Sequence, residues 1–256
     1  MRKGTIPERK SIETHWTSLA DLMSGLMLIF LLISIIYSSQ KEIVAEKSKK
    51  RMSEIDKIVQ QYKNTQKAIY EALKEEFIND LKKWNAELDS ELLSVRFNVR
   101  EGIYSEVAVP RDIYFDVGKA IIKKEFKDVI DDFWPRFLKI LKQKRFKDEI
   151  EEIRIEGHTS SEWLTQVDPD SAYMLNMELS QDRARSVLSY VLKINTNRVD
   201  REWAKSKLTA NGLSSSKLIY NKTGEEDKKR SRRVEFRVKT KSEEKIYKII
   251  ERLKKD

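Results

Sequence analysis

An aspartate inside an otherwise apolar run is the residue best placed to do chemistry in this sequence. Asp21 is the one charged residue between Thr17 and Tyr37 (TSLADLMSGLMLIFLLISIIY), about one turn inside that stretch if it is helical. An ionised Asp at the centre of a membrane helix costs about 3 kcal/mol and somewhat less near an end, so an acid there generally has a task. Ser24 and Gly25, at i+3 and i+4, share its face, and their small side chains let another helix approach and shield the carboxylate from lipid. Desolvation favours the neutral form of a carboxyl group, so an acid in such a place can alternate between protonated and ionised forms. That is the chemistry of an ion relay, with Asp21 carrying the ion and Ser24 and Gly25 lining it. The other reading is an interfacial aspartate that caps the helix start or snorkels.

Asn176 and Arg183 are a second pair with chemical potential. They lie seven residues apart and reach the same side of a helix start, where an amide and a guanidinium can hold the carboxylates of a peptide. For Arg183 the alternative is a surface ion pair with Glu178 or Asp182. His158 invites a metal or catalytic role, but no second histidine, cysteine pair or close acidic cluster accompanies it in the sequence. Ser214, Ser215 and Ser216 follow Gly212 without a base partner, and seven glycines leave little material for a phosphate-binding loop. The expectation is a protein with no catalytic residues, no metal and no cofactor, and not an enzyme.

The elements that must position these residues fall into four segments. Residues 1–16 carry Arg2, Lys3, Arg9 and Lys10 ahead of the apolar run. Residues 17–38 are long enough, at roughly 30 Å as a helix, to cross a bilayer. Trp16 and Tyr37 bracket the span as interfacial aromatics do, and the run ends in Ile35, Ile36 and Tyr37 rather than in a small-residue cleavage site, so an uncleaved single-pass anchor is expected. Positive charge flanks both sides, and the charge rule alone leaves orientation open.

Residues 39–93 are expected to be a helical connector: from residue 41 to 93 there is neither proline nor glycine, and Lys, Glu, Gln and Asn abound. Ile55, Ile58, Tyr62, Ile69, Leu73, Phe77, Leu81, Trp84, Leu88 and Leu92 form one helical stripe. A homodimeric coiled coil would cover it from Ile55 onward; docking of Leu81 to Leu92 onto the next domain is the alternative. As one helix the connector would reach roughly 80 Å.

Residues 94–256 change pattern. Strands are expected at Val95–Val99, Val107–Val109, Ile113–Phe115, Ile150–Gly157, Lys207–Ala210 and Arg233–Val238. Helices are expected at Lys123–Lys142, Leu179–Leu192 and Glu243–Lys254, with Ser180 in the cap region of the second. Strands alternating with helices imply an α+β fold built as an α/β sandwich.

Of the 256 residues, 51 are Lys or Arg against 42 Asp or Glu, a net charge of +9, but the charges are mixed along the chain and read as a solvated surface rather than a nucleic-acid site. Cysteine is absent, which excludes disulfides and cysteine-ligated metals.

Several motifs carry a family resemblance. Trp16 followed by LADLMSGLMLIFLLI resembles the transmembrane helix of MotB-type stator subunits; the ExbD and TolR transport subunits also place an Asp early in such a helix. Asn176, Leu179, Ser180, Arg183, Ala184 and Val187 reproduce the N-x-x-L-S-x-x-R-A-x-x-V pattern of OmpA-like peptidoglycan-binding domains. Phe115-Asp116-x-Gly118-x-Ala120-x-Ile122, Ile155-Glu156-Gly157-His158-Thr159 and Arg232-Arg233-Val234-Glu235-Phe236 resemble that family's first strand and turn, its GHT strand end and its closing strand, over roughly residues 106 to 238.

The combination most resembles the MotB-like subunits of Zorya anti-phage defence systems. The resemblance implies a homodimer inside a ring of MotA-like subunits in the inner membrane, with the N-terminus cytoplasmic and the C-terminal domain periplasmic. Thr159, Asn176, Leu179 and Arg183 would bind peptidoglycan, Asn176 and Arg183 through the diaminopimelate of its stem. A flagellar stator subunit and a passive wall tether are the alternatives, and no direct contact with nucleic acid is implied. The sequence departs from the family where GHTD would end: Ser160 replaces the aspartate that meets the diaminopimelate ammonium, and a hydroxyl cannot supply that charge. Glu162, Asp168 or Asp170 could substitute, or binding is altered. Ser231 likewise replaces the asparagine of the usual N-R-R closing motif.

Overall fold

The computed structural model describes residues 10–99, 101–102, 111–112, 114–194, 197–241, 247 and 251. The chain divides into two compact units, Met1–Ile58 and Val59–Asp256.

The first unit is helical. It holds most of α1, Lys10–Leu81, whose first half contains the apolar run and is by length and composition able to cross a membrane. Leu22, Leu26, Ile29, Ile33 and Ile36 are all exposed, with nothing among the described residues to cover them. Asp21 lies on this helix with its side chain exposed. Ser24 Oγ donates to the Ala20 carbonyl at 2.7 Å, satisfying its hydroxyl within its own helix. A Cβ added at Gly25 would meet no atom within 4 Å.

In the second unit α1 ends in the core. Ile69, Leu73 and Phe77 are fully buried, whereas Tyr62 is half-buried. The apolar stripe is therefore covered by this unit's own core from Ile69 onward, earlier than the Leu81–Leu92 segment for which docking was the alternative. The connector also stops being helical sooner than expected: α1 ends at Leu81, and Ala86–Asp89 form strand β1. Trp84 turns into the core against Phe77, 5.7 Å between ring centroids, and Phe133, 6.1 Å. Asn85 takes a left-handed backbone (φ 49°), and its Nδ2 donates to the carbonyls of Asn98 and Val99, both at 3.2 Å. These tertiary contacts override a helical propensity that continues through residue 93. The compact unit thus begins at Val59 rather than at residue 94.

The remaining elements follow as β2 (Ser94–Asn98), β3 (Glu101–Gly102), β4 (Arg111–Asp112), α2 (Lys124–Leu141), β5 (Ile150–His158), α3 (Pro169–Val191), α4 (Arg198–Lys205), β6 (Leu208–Gly212), α5 (Lys228–Ser231) and β7 (Arg233–Thr240). The main sheet runs β1-β2-β7-β5-β6, with β5 and β6 parallel and the other pairs antiparallel; β3 and β4 pair separately. This is the expected α+β arrangement.

Expected α2, β2, β5, β6 and β7 lie within a residue or two of their observed bounds, while β1, β3, β4, α4 and α5 are additional. The expected strand Val107–Val109 lies outside the described residues, as does nearly all of the expected helix Glu243–Lys254. Of Ile113–Phe115, Phe115 makes a single bridge to Ile122.

Phe126, Ile130, Phe133, Trp134, Phe137 and Leu141 recur every three or four residues on α2 and are buried. Phe133 centres the core, 5.0 Å between centroids from both Phe97 of β2 and Phe236 of β7. Arg136 ties α2 to the end of α1: it donates to Glu76 Oε1 at 2.7 Å and Asp80 Oδ2 at 2.9 Å, and its guanidinium lies 4.9 Å from the Phe77 ring centroid. Burial would lower its pKa, but the acceptors on Glu76, Asp80 and Asp132 raise it instead.

Candidate pocket on the second unit

Helix α3 starts ten residues before the expected Leu179, which alters the setting of its motif. Asp168 is the N-cap, its carboxylate accepting from the Ser171 N–H at 2.9 Å, and Pro169 opens the first turn. Ser180 is consequently not a capping residue. It is buried in mid-helix, where its Oγ donates to the Met177 carbonyl and accepts from the Ser214 N–H, each at 3.0 Å.

The helix sits on paired glycines. Gly157 of β5 and Gly212 of β6 are register partners, and a Cβ built on them would stand 2.1 Å from Ser180 O and 2.4 Å from the Gln181 N, respectively. Only glycine permits that approach. Gln181 reinforces it, its Oε1 accepting from the Gly212 N–H at 2.6 Å. The contact lies between Asn176 and Arg183 and fixes both against the sheet.

Asn176, Leu179 and Arg183 meet Thr159 and Ser160, at the end of β5, around a cavity of about 150 Å³. All the residues expected to bind peptidoglycan therefore line one pocket. Arg183 is 7% exposed, so it is not the surface residue that an ion pair with Glu178 or Asp182 would have made it. Its Nε donates to the Lys119 carbonyl at 3.0 Å and its Nη2 to that of Asp116 at 3.3 Å, with the guanidinium 4.8 Å from the Phe115 ring centroid. Asn176 Nδ2 donates to the carbonyls of Ser160, at 3.2 Å, and Glu162, at 3.0 Å. Both side chains thus build the pocket wall by holding loop backbone, a role beyond the carboxylate grip expected from their types. Thr159 is 3% exposed, and its buried Oγ1 has no hydrogen-bond partner among the described residues.

Other lining residues are Val117, Gly118, Trp163, Leu164 and Arg232. Gly118 (φ 68°) makes the turn that brings its backbone against Leu164, where a Cβ would lie 2.8 Å from Leu164 Cδ1. Gly118 and Arg232 were legible as motif residues, but their place in a pocket was not. Of the three acids that could replace the missing aspartate, only Glu162 lines the cavity; Asp168 caps α3 and Asp170 is exposed in its first turn.

His158 lies in a buried cluster beside this wall. Its Nε2 is 3.4 Å from Glu156 Oε2 and 3.6 Å from Glu235 Oε2, near enough to feel their charge but too far for a good hydrogen bond. Glu235 accepts from Ser94 Oγ, from Arg233 Nε at 3.1 Å and from Arg96 Nε at 3.3 Å. These ligand atoms lie within 4.8 Å of one another, as around a metal. The two carboxylates are already met by Arg96, Arg233 and, at 3.9 Å, Arg237, so a divalent cation would leave excess positive charge in a buried place.

Burial pushes the His158 imidazole below its ordinary value, with Glu156 opposing and Arg233 reinforcing the shift. Burial would raise the Glu235 carboxyl, but the Ser94 hydroxyl, Arg233 and Arg96 hold it low. Both shifts make acid destabilising. Below the ordinary histidine value of 6.5 the unfolded chain takes up a proton that folded His158 refuses, and below 4.5 the unfolded chain protonates a glutamate that folded Glu235 keeps ionised. The melting temperature of the full chain in detergent should therefore fall as pH drops from 7 to 5. His158→Gln should flatten that interval while keeping the steeper loss below it; an unchanged slope would assign the loss to other groups.

Comparison with known proteins agrees with this architecture. Residues 114–232 match the OmpA family. The chain is 43% identical over 246 residues to the Zorya protein ZorB of Escherichia coli, covering 96% of each protein. Among solved structures, a MotB-like protein from Desulfovibrio vulgaris is 21% identical with a TM-score of 0.45, over 71% of this chain and 98% of that one. The cell wall anchor of the Pseudomonas aeruginosa T6SS is 18% identical with a TM-score of 0.41, over 66% and 96%. An OmpA-family match over the pocket-bearing unit, joined to near full-length identity at this level, places the chain in the ZorB family of Zorya proteins.

Proposed function

We propose that this chain is the wall-anchored, ion-conducting subunit of an inner-membrane motor in anti-phage defence. It is a structural, stator-type subunit and not an enzyme. In this reading Asp21 carries the ion, with Ser24 and Gly25 lining its path, and the pocket on the second unit grips a peptidoglycan stem peptide through Thr159, Asn176, Leu179 and Arg183. The chain acts as a homodimer enclosed by a ring of ZorA, the MotA-like membrane subunit, with its N-terminus cytoplasmic and its second unit periplasmic. The stripe from Ile55 to Tyr62 pairs the two copies as a short coiled coil. Ion flow past Asp21 turns the ring around a dimer that the wall holds still.

The observation that carries the proposal is the convergence of those pocket residues on one cavity. The Arg183 guanidinium beside an apolar floor at Leu179, in a wall that Asn176 holds in place, suits a peptide carboxylate on a short aliphatic arm. Sedimentation of the full-length protein in detergent with purified peptidoglycan sacculi tests it. Wild-type protein should pellet with the sacculi. Leu179→Asp, which sets a carboxylate where the ligand's would lie, should bind at least about tenfold more weakly with its melting temperature little changed. Equal pelleting of both would sink the pocket as the wall-binding site.

A further inference from the structure

One row of α1 is partly covered before the helix reaches the core. From Ser18 to Lys50 every residue of α1 is exposed, and the members of the core cluster on this helix begin only at Ala68 and Ile69. Yet Val59, Tyr62 and Gln66, in the second unit, are half-buried. They lead into buried Ile69 and Leu73 at steps of three and four and so share their face. Gln66 Nε2 donates to the Tyr62 hydroxyl at 2.5 Å, which satisfies the two polar tips on each other and lets an apolar segment lie across them at little desolvation cost.

The chain leaves β7 at the end of the core where α1 enters it. α1 runs antiparallel to α2: Tyr114, stacked on Phe126 in the first turn of α2, donates to the Trp84 carbonyl beyond the end of α1, whereas Arg136, further along α2, holds Glu76. Residues of α1 before Glu76 therefore lie toward the C-terminal end of α2, which leads into β5. There Ile150, the first residue of β5, pairs with Thr240, the last of β7, and the Lys241 N–H donates to the Glu149 carbonyl at 2.8 Å.

The residues that follow carry a matching pattern. Of the expected helix Glu243–Lys254, Tyr247 and Glu251 are described, both helical and exposed. Four residues apart, they share a face, and Ile246, Ile249, Ile250 and Leu253 fall on the other side. Read backwards, Leu253, Ile250 and Ile246 have the three-four spacing of Val59, Tyr62 and Gln66, as two antiparallel helices in contact require.

We propose that residues 243–254 pack antiparallel on α1 as a strap of the same chain, with Ile246 on Gln66, Ile250 on Tyr62 and Leu253 on Val59. The strap carries the second unit's hold on α1 from Ile69 back to Val59, roughly 15 Å along the helix. The occupant is the chain's own segment because Lys241 is anchored to Glu149 at the end of the core that α1 enters. Tyr62 borders the seam proposed to pair two copies, and the strap leaves Ile55 and Ile58 of that seam uncovered. The strap depends on neither the pocket nor the ion path, so its failure would leave both readings as they are.

The chain has no cysteine, so introduced pairs report the contact directly. Full-length protein in detergent is oxidised mildly, and cross-links are read on non-reducing gels and by mass spectrometry of the linked peptides. Gln66→Cys with Ile246→Cys, and Val59→Cys with Leu253→Cys, should each form a disulfide within one chain in most molecules. Val59→Cys with Ile246→Cys is displaced by roughly 10 Å along the helix and should link at least about tenfold less, since a disulfide needs Cα atoms within about 7 Å. Removing residues 242–256 should raise the maleimide reactivity of Val59→Cys several-fold. A dimer-sized band in place of the intrachain link would give the row to a second copy's segment and overturn the strap. Matched pairs that link no better than the displaced pair would overturn it too, as would a Val59→Cys thiol equally reactive with and without the segment.

Discussion

Asp21→Asn is expected to abolish protection against phage, returning plaquing efficiency to that of cells lacking the system, while protein level, membrane insertion and co-purification with the ring subunit stay at wild-type values. The amide keeps the shape and polarity of the side chain but cannot alternate between neutral and ionised forms, so the substitution removes only the ion step. Retained protection would reduce the chain to a passive tether. Gly25→Leu is the companion experiment. A Cβ there meets nothing within 4 Å in this chain, so any loss of activity reports a helix from another subunit closing over Asp21. Normal activity in Gly25→Leu would place that face against lipid.

The largest effect on the second unit is expected from Gly157→Ala. The added methyl would sit 2.1 Å from a backbone oxygen in the middle of α3, an atom that cannot rotate away as a side chain can. The helix must lift from β5, at a cost of about 3 kcal/mol, which lowers the melting temperature by roughly 5–10 °C in a unit of this size. Sacculus binding should fall with it, because Asn176 and Arg183 move with the helix. Gly224→Ala gives the comparison: its backbone is left-handed, unlike that of Gly157, but its Cβ would meet nothing within 4 Å, so it should lose only the strain of that conformation. A Gly157→Ala variant that melts like wild type would show that α3 is not seated as described.

Much of the pocket was legible in the order of residues because its motif is local. Asn176, Leu179 and Arg183 fall on one helix at spacings of three and four, and that face survives an error in where the helix begins. The helix start itself is encoded upstream of Leu179 and Ser180, in Asp168-Pro169, an N-cap followed by a first-turn proline. What could not be read was which backbone those side chains would hold. The acceptors of Arg183 are carbonyls at Asp116 and Lys119, more than sixty residues away in sequence, and no periodicity encodes a partner that distant.

The connector failed for a related reason. Trp84, Leu88 and Leu92 continue the three-four rhythm of Ile69, Leu73 and Phe77, yet Trp84 is claimed by Phe77 and Phe133 and Asn85 by the carbonyls of Asn98 and Val99. The same rhythm thus served first a helix and then the turn and strand that follow it. Glu162 was one of three acids within reach of the gap left at Ser160, and only the path of the loop singles it out.

The way α1 ends has a mechanical consequence. Ile69, Leu73 and Phe77 are embedded among the core aromatics, and Arg136 clasps Glu76 and Asp80 from α2. In the proposed motor, tension or torque travelling down α1 would therefore meet interlocked side chains before it reached the short β1–β2 edge pairing. There, the stretch from Ile69 to Leu81 would pass the load of α1 to the second unit through many packed side chains rather than through the backbone alone.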